Sequence, residues 1–180
     1  MGYHTGAPMP SQTMVVRFTE MESSIGRLVL AGEAEGERLI GLRLIWLPSG
    51  SGTFRPEADW VQDAGPFRET MRQLREYFAG RLTVFDLPLA PEGTDFQQRV
   101  WRAVAAIPYG ETRSYLDVAR AIDRKHAVRA VGAANGQNPL PIVIPCHRVI
   151  GSDGRLTGYG GGLPLKKRLL ELESRQRSLL

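Results

Sequence analysis

The sequence is poor in cysteine and has no long apolar run. It holds one cysteine among 180 residues, so no disulfide can form within the chain and a cysteine-rich zinc site is excluded. The three histidines lack the spacing of metal ligands, and we therefore expect no bound metal. No apolar stretch approaches the roughly 18 residues of a membrane span, and the first residues lack the apolar segment of a signal peptide. We expect a globular protein of a reducing compartment that does not bind membranes.

Charge is distributed unevenly along the chain. The formal net charge is +4, and between Val100 and Arg148 seven basic residues face three acidic ones. This segment alone therefore accounts for the excess. A basic segment is compatible with nucleic acid, but charge by itself does not distinguish DNA-binding proteins from the many basic proteins that bind none.

The first half of the sequence predicts a mixed α/β lobe. Residues 1–13, rich in Gly, Pro, Ser and Thr, predict a flexible tail. Short apolar segments separated by glycines and charges then predict a small antiparallel sheet; they are residues 14–18, 26–31 and 39–46. A Pro/Gly/Ser loop over 48–56 follows. Residues 66–79 have apolar side chains at helical spacing, and residues 82–92, with two prolines, predict an extended linker.

The second half predicts helices. Thr94, followed three residues later by Gln97, is typical of a capping box at a helix start. Ser114 or Thr112 would cap a second, short helix, and a third is predicted over residues 126–135. Two short helices joined by a tight turn form the helix-turn-helix pattern, although most such hairpins bind no DNA.

The only cysteine, Cys146, lies in a segment rich in proline. The prolines within residues 138–145 predict an extended backbone, and the apolar triplet 142–144 must be buried. A single cysteine is most often an inert core side chain. Here His147 and Arg148 follow at once, and both favour a thiolate.

His147 needs a partner if it is to act in catalysis. Adjacent residues of an extended chain point in opposite directions, so His147 reaches the cysteine only through a turn or a bridging water. A functional histidine also needs a group that orients it. Glu171 or Glu173, in or directly after the predicted last helix over residues 163–172, could fold back to do so, and the residues alone do not choose between them.

The predicted third helix is made almost entirely of small residues. Residues 127–134 include one charged side chain, Arg129, with Ala130 and Gly132 beside it. Small residues allow close approach to a neighbour, which is either the protein core or a DNA groove. In the second case Arg129 would contact phosphate or insert into the duplex.

Residues 145–150, Pro-Cys-His-Arg-Val-Ile, resemble the active-site motif of the O6-alkylguanine-DNA alkyltransferase family. Further segments similar to the family are 94–101, 107–115, 130–138 and 158–163. The resemblance covers about residues 14–173. It implies an α/β (α+β) fold with a ribonuclease H-like lobe, made of a small antiparallel sheet and a helix, and a mostly helical lobe with the helix-turn-helix and the cysteine loop. The predicted division is a flexible tail over 1–13, an N-terminal lobe with linker over 14–92, and a DNA-binding and alkyl-transfer domain over 93–180.

The resemblance implies roles for individual residues. Cys146 would accept the alkyl group, and His147 would act as its base through a water molecule. Glu173 would orient the histidine, and Asn138 would hold the active-site turn together. Some family members bind zinc through cysteines of the N-terminal lobe, but this chain has no cysteine there, so no zinc site is expected.

The DNA contacts and the base pocket follow from the same resemblance. Tyr115 would help to rotate the target nucleotide and contact its base, while Arg129, on the helix with Ala130 and Gly132, would fill the gap in the duplex. The residues expected to line the guanine pocket are Arg148, Tyr159, Gly160 and the backbone carbonyls of Cys146 and Val149. Some members have a serine at the position of Gly160, so here only the backbone N–H would serve O6.

These roles imply a stoichiometric methylated-DNA–[protein]-cysteine S-methyltransferase that repairs DNA. The damaged nucleotide would flip out of the stack, and the cysteine would displace the alkyl group from guanine O6 once, giving a thioether. No cofactor is expected, because the substrate carries the transferred group. The expected partner is double-stranded DNA with O6-alkylguanine, met by a monomer in the cytoplasm, or at the nucleoid if the source is bacterial. Activity on O4-alkylthymine and cooperativity on DNA stay open.

Two other functions compete with this interpretation. A cysteine hydrolase with a Cys-His dyad would turn over and would take its histidine from a distant part of the sequence, unlike the adjacent pair here. A non-catalytic helix-turn-helix protein that senses damage would bind DNA without any covalent change, and its binding would survive Cys146→Ser.

Overall fold

A computed structural model describes residues 15–47 and 54–177. The predicted tail over 1–13, and most of the predicted loop over 48–56, lie outside these residues. No helix within them is long and apolar enough to cross a membrane.

The first part of the chain forms a four-stranded sheet. Its strands are β1 (Val15–Ser23), β2 (Gly26–Glu35), β3 (Arg38–Trp46) and β4 (Val61–Gln62), in the order β3-β2-β1-β4. The first three pair antiparallel, as predicted. The two-residue β4, which was not predicted, pairs parallel to β1, with Arg17 opposite Val61, so the complete sheet is mixed. Two residues carry too little periodicity to predict a strand.

Both faces of this sheet are covered. Leu28, Leu30 and Ile45 face the main core of the protein. On the other face Phe18 and Val29 belong to a smaller cluster, against which Trp46, Phe54 and Trp60 pack. Burial on both sides explains why the central strand β2 reads as a continuous apolar run rather than an alternating one.

A helix and the linker complete this part. A 3₁₀ turn, Gly65–Phe67, leads into α1 (Arg68–Phe78), in agreement with the predicted helix. The linker then runs along the outer edge of β3: the N–H of Leu42 donates to the carbonyl of Pro88 over 2.6 Å, and the N–H of Ala90 donates to that of Leu42 over 2.9 Å. We refer to residues 15–47 and 54–92 as the N-terminal lobe and to residues 93–177 as the C-terminal lobe.

The C-terminal lobe is mostly helical. Its helices are α2 (Asp95–Ala105), α3 (Tyr115–Ala121), α4 (Val128–Gly136) and α5 (Leu163–Arg177). The capping box of Thr94 and Gln97 is present as predicted, and Ser114, rather than Thr112, caps α3. Helices α3 and α4 form the predicted helical pair, whose buried side chains pack against α2.

A two-stranded parallel sheet connects the segment that follows the cysteine to the start of α3. It joins β5 (Arg113–Ser114) to β6 (Val149–Ile150). This pairing was not predictable, since each strand has only two residues. It fixes the position of the cysteine segment relative to the helical pair.

Candidate active site

The backbone before Cys146 is a tight turn, and the prediction of an extended chain there is wrong. The N–H of Ile144 donates to the carbonyl of Leu140 over 2.8 Å, and Ile142 has φ of 77°. A positive φ is strained for a β-branched residue. Asn138 holds the turn closed: its Nδ2 donates to the carbonyl of Ile144 over 2.8 Å, and its Oδ1 accepts from the N–H of Leu140 over 3.0 Å. Proline fixes its own φ but does not prevent the chain from turning.

Cys146, His147 and Arg148 form one turn of 3₁₀ helix, and all three are buried. Cys146 and His147 are therefore not separated as they would be in the extended chain that was predicted. The side chain of Asn135, on α4, donates to the carbonyl of Cys146 over 3.3 Å. The reactive turn is thus fixed from the helical pair as well as from Asn138.

Glu173, on α5, is fully buried and binds groups from three parts of the chain. Its Oε1 lies 2.8 Å from Nε2 of His147 and 3.0 Å from Nη2 of Arg148, and its Oε2 accepts from Nε of Arg148 over 2.9 Å. The N–H of Gly110 donates to Oε2 over 3.0 Å, and the hydroxyl of Tyr77 donates to Oε1 over 2.7 Å. Of the two candidate glutamates, the structure therefore places Glu173 beside His147, while Glu171 is exposed.

These contacts fix the charges of the pair. Burial alone would raise the pKa of Glu173, but the hydrogen bonds from His147 and Arg148 outweigh it and lower the pKa to about 2. Burial lowers the pKa of His147, against the opposing effect of Glu173. The histidine is therefore neutral at pH 7 and carries its proton on Nε2, facing the carboxylate. Within the described part of the chain, Nδ1 has no hydrogen-bond partner and is free to accept a proton.

The thiol of Cys146 is not ionised in this state. Burial raises its pKa to about 11, although Asn138 and Lys166 act in the opposite direction. Burial thus outweighs the backbone hydrogen bond by which His147 lowers the pKa of the thiol, and Arg148 does not favour a thiolate as expected. The reason is geometric: the guanidinium of Arg148 is turned to Glu173 and to the carbonyl of Ile107, which it meets at 2.6 Å.

A cavity of about 200 Å³ opens onto Cys146 at the junction of the lobes. Tyr159 and Gly160 line it, as the resemblance implies, and its lining from the N-terminal lobe includes Trp46 and Leu47. The hydroxyl of Tyr159 is buried and has no hydrogen-bond partner among the residues described. The N–H of Ile45 donates to the carbonyl of Pro139 over 2.8 Å, so β3 holds the turn that forms one wall.

Two expected pocket residues have other partners. Arg148 is bound to Glu173, so its side chain positions the carboxylate rather than lining the cavity. The carbonyl of Val149 accepts from Nζ of Lys166 over 2.6 Å. The same ammonium donates to the carbonyl of Thr157 over 2.7 Å, and burial lowers the pKa of Lys166 to about 8.

Three side chains that contact this site were not predicted from the sequence: Tyr77, Lys166 and Asn135. Tyr77 is separated from Glu173 by 96 positions, and no local motif connects two residues at such a distance. In the sequence, Lys166 looks like an ordinary charged residue on the exposed face of a helix. A lysine among the apolar positions of α5 could have indicated a buried partner, since buried charges need one.

Helix α4 presents a small-residue face to solvent. Arg129 and Ala130 are exposed, and Gly132 is half-buried. The ring of Tyr115 lies 3.8 Å from where a Cβ on Gly132 would stand. This helix can therefore approach another molecule closely, with Arg129 projecting from it.

Two family models match consecutive parts of the chain. The ribonuclease-like domain of 6-O-methylguanine DNA methyltransferase matches residues 16–91, and the DNA-binding domain of the same family matches residues 95–175. A methylated-DNA–protein-cysteine methyltransferase of Methanosarcina barkeri is 52% identical over 153 residues, which are 85% of this chain and 94% of that protein. Its counterpart in Mycobacterium tuberculosis is 51% identical over 160 residues, 88% of this chain and 93% of that protein.

Solved structures are similar over the same extent. The O6-methylguanine methyltransferase of Mycobacterium tuberculosis superposes with a TM-score of 0.81 at 48% identity, covering 90% of this chain and 94% of that one. Mycobacterium tuberculosis OGT in complex with DNA gives a TM-score of 0.79 at 47% identity, over 89% and 94% of the two chains.

Proposed function

The chain belongs to the 6-O-methylguanine DNA methyltransferase family, and from that premise we propose that it repairs DNA by taking an alkyl group from guanine O6 onto Cys146. The observation that carries this proposal is the buried Cys146–His147–Glu173 arrangement at the end of a cavity. The protein is a methylated-DNA–protein-cysteine methyltransferase, and each molecule acts once. The transfer chemistry belongs to residues 93–180, and residues 14–92 support it.

The transfer is a displacement at the alkyl carbon. A bond forms between Sγ of Cys146 and that carbon, and the bond from the carbon to O6 breaks, leaving its electron pair on the guanine. The thiol proton passes through a water molecule to Nδ1 of His147, and the guanine takes up a proton in turn. Because the pKa of the thiol is about 11 at rest, the thiolate forms only in small amounts without this base.

Glu173 stabilises the histidinium that forms during transfer. Its carboxylate stays ionised at any pH near neutrality and already faces Nε2. Arg148 keeps that carboxylate in place through two hydrogen bonds, and Asn138 keeps the cysteine turn closed. A preorganised arrangement of this kind needs no rearrangement at the moment of reaction.

DNA is recognised through α4. In this proposal Arg129 fills the space left by the flipped nucleotide, Ala130 and Gly132 let the helix approach the groove, and Tyr115 helps to rotate the nucleotide. Flipping costs a few kcal/mol, which contacts in the pocket and in the gap offset. The base then enters the cavity beside Tyr159 and Gly160, with the N–H of residue 160 serving O6.

The proposed chemistry also bears on the cellular compartment and the oligomeric state of the protein. A thiol that must stay reduced favours the cytoplasm, at the nucleoid if the source is bacterial. We expect the protein to act as a monomer. Sedimentation on duplexes of increasing length distinguishes this from cooperative assembly.

The proposal is tested by detecting the covalent product on Cys146. The purified protein is mixed with a short duplex that contains one O6-methylguanine, and its intact mass and peptide map are measured, with Cys146→Ser as the matched control. We expect a gain of one methylene on the Cys146 peptide, saturating at one per protein, and no gain in the variant. Tight binding without a mass gain would favour a damage-sensing protein, and neither binding nor gain would overturn the proposal.

A further inference from the structure

Tyr77 connects the N-terminal lobe to the acid-base pair of the C-terminal lobe. It lies near the end of α1, is fully buried, and has the rings of Phe78 and Phe85 each 5.4 Å away. Its hydroxyl is 2.7 Å from Oε1 of Glu173. Because that carboxylate is ionised, the phenol is the donor. Packing alone would be satisfied by a phenylalanine, so the hydroxyl has a use other than filling space.

The hydroxyl shares its acceptor with the histidine. Oε1 of Glu173 accepts from Tyr77, from Nε2 of His147 and from Nη2 of Arg148, at 2.7, 2.8 and 3.0 Å. An oxygen that accepts three hydrogen bonds is held on all sides, which fixes its position opposite Nε2. Each additional donor also withdraws charge from the oxygen, so it attracts the imidazolium proton less strongly.

We propose that Tyr77 is a positioning residue for alkyl transfer: its hydroxyl holds Oε1 of Glu173 opposite His147 and, through it, sets the proton affinity of that histidine. The inference rests on the proposed function, because it concerns the base of that reaction. It also means that the N-terminal lobe helps to position the base of the reaction.

Other ionisable groups surround the pair and must stay unchanged in any test. They are Tyr109 from the segment after α2, Cys146 and Arg148 from the 3₁₀ turn, Tyr159 from the loop before α5, and Lys166 from α5. Tyr77→Phe removes one oxygen and changes no charge at neutral pH. It therefore isolates the donor from all these groups.

The experiment is a pH profile of single-turnover transfer from an O6-methylguanine duplex. In Tyr77→Phe we expect transfer near pH 7 to slow by about tenfold, since a hydrogen bond to a charged group has roughly that effect. The rising limb of the profile should move to higher pH, because Glu173 now holds the imidazolium proton more strongly. Binding to DNA should not change, since α4 is untouched. A difluorinated tyrosine placed at residue 77, which is a stronger donor, should move the limb to lower pH.

Phe85→Leu is the matched control, because it loosens the packing around Tyr77 and removes no donor. Its profile should keep the wild-type midpoint even if its melting temperature falls. An unmoved midpoint in both residue-77 variants would overturn the proposal, as would an equal shift in Phe85→Leu.

Failure of the proposed function gives a different result. In that case wild-type protein transfers nothing, and ¹⁵N NMR titration of the His147 ring in the intact protein tests Tyr77 without any activity. The proposal expects the midpoint of that titration to rise in Tyr77→Phe and to fall with the fluorinated residue. Unchanged midpoints would overturn it there too.

Discussion

Replacing Glu173 by glutamine should destabilise the protein strongly, although the two side chains have almost the same shape. The amide has one acceptor oxygen in place of two, and its NH₂ group would face donors. Arg148, whose side chain is only 7% exposed, would lose its counter-ion. Removing one partner of a buried pair leaves an uncompensated charge, which costs about 3–5 kcal/mol.

The shifted pKa of Glu173 gives a second measure of the same effect. A shift from 4.5 to about 2 corresponds to about 3 kcal/mol at neutral pH, at about 1.4 kcal/mol per pKa unit. Both routes therefore give about 3 kcal/mol. This is a large part of the roughly 5–15 kcal/mol by which proteins are stable, and in a chain of this size it lowers the melting temperature by about 10 °C.

The pH dependence of this difference fixes its origin. Because the pKa is lowered in the folded state, the contribution of Glu173 is fully present above pH 4.5 and is lost as the pH falls towards 2. Urea unfolding followed by circular dichroism should thus show a difference of about 3 kcal/mol between wild type and Glu173→Gln at pH 7, and about half of it at pH 3. The exposed Glu171→Gln is the control and should change stability by less than about 0.5 kcal/mol. A difference below about 1 kcal/mol at pH 7, or one that is the same at both pH values, would refute the reasoning.

Three further changes have defined outcomes. Gly161→Ala should lower the free energy of unfolding by about 1 kcal/mol, because its Cβ would lie 2.5 Å from Cδ2 of Leu165, a side-chain end that must move aside. Gly160→Ala, with no described atom within 4 Å of the new Cβ, should be neutral in a thermal melt. Arg129→Ala should weaken binding to undamaged duplex and reduce the salt slope of log K by about 1, with an unchanged melting temperature; an unchanged slope would remove Arg129 from the interface. In the absence of DNA, Cys146 should react slowly with iodoacetamide at pH 7 and faster up to pH about 11, while a plateau below pH 9 would contradict the buried thiol.

Local patterns were the part of the fold that the sequence could predict. The capping box at Thr94 and the apolar spacing of α1 involve residues within a few positions of one another, so the information is contained in one short segment. The fold class is confirmed as α/β, and the unpredicted β4 makes the complete sheet mixed. Two-residue strands are set by tertiary pairing rather than by their own propensity.

The segment that forms the site was predictable from the sequence, but its geometry and its contacts with distant residues were not. The segment around Cys146 stands out in the sequence, but the turn at Ile142 depends on an asparagine clamp and on a strained φ that apolar patterning does not encode. The state of the Cys146 thiol was not predictable, because the sequence does not show how deeply the side chain is buried or which way Arg148 turns. Arg148 instead neutralises Glu173, and burial determines the state of the thiol.

The pairing of β3 has a consequence for any attempt to prepare the two lobes as separate fragments. An exposed edge strand offers unpaired N–H and C=O groups to other chains and promotes aggregation. Here the linker forms hydrogen bonds with the backbone of Leu42, and the turn before the cysteine accepts one from the N–H of Ile45. The active-site segment therefore also protects the outer edge of β3 from pairing with other chains. The two family models meet near residues 91–95. Separating the lobes there would expose part of the edge of β3 on the N-terminal fragment, where it promotes aggregation. The C-terminal fragment would lose the strand that supports its reactive turn. The two lobes, which the sequence separates into domains, therefore depend on each other to remain soluble.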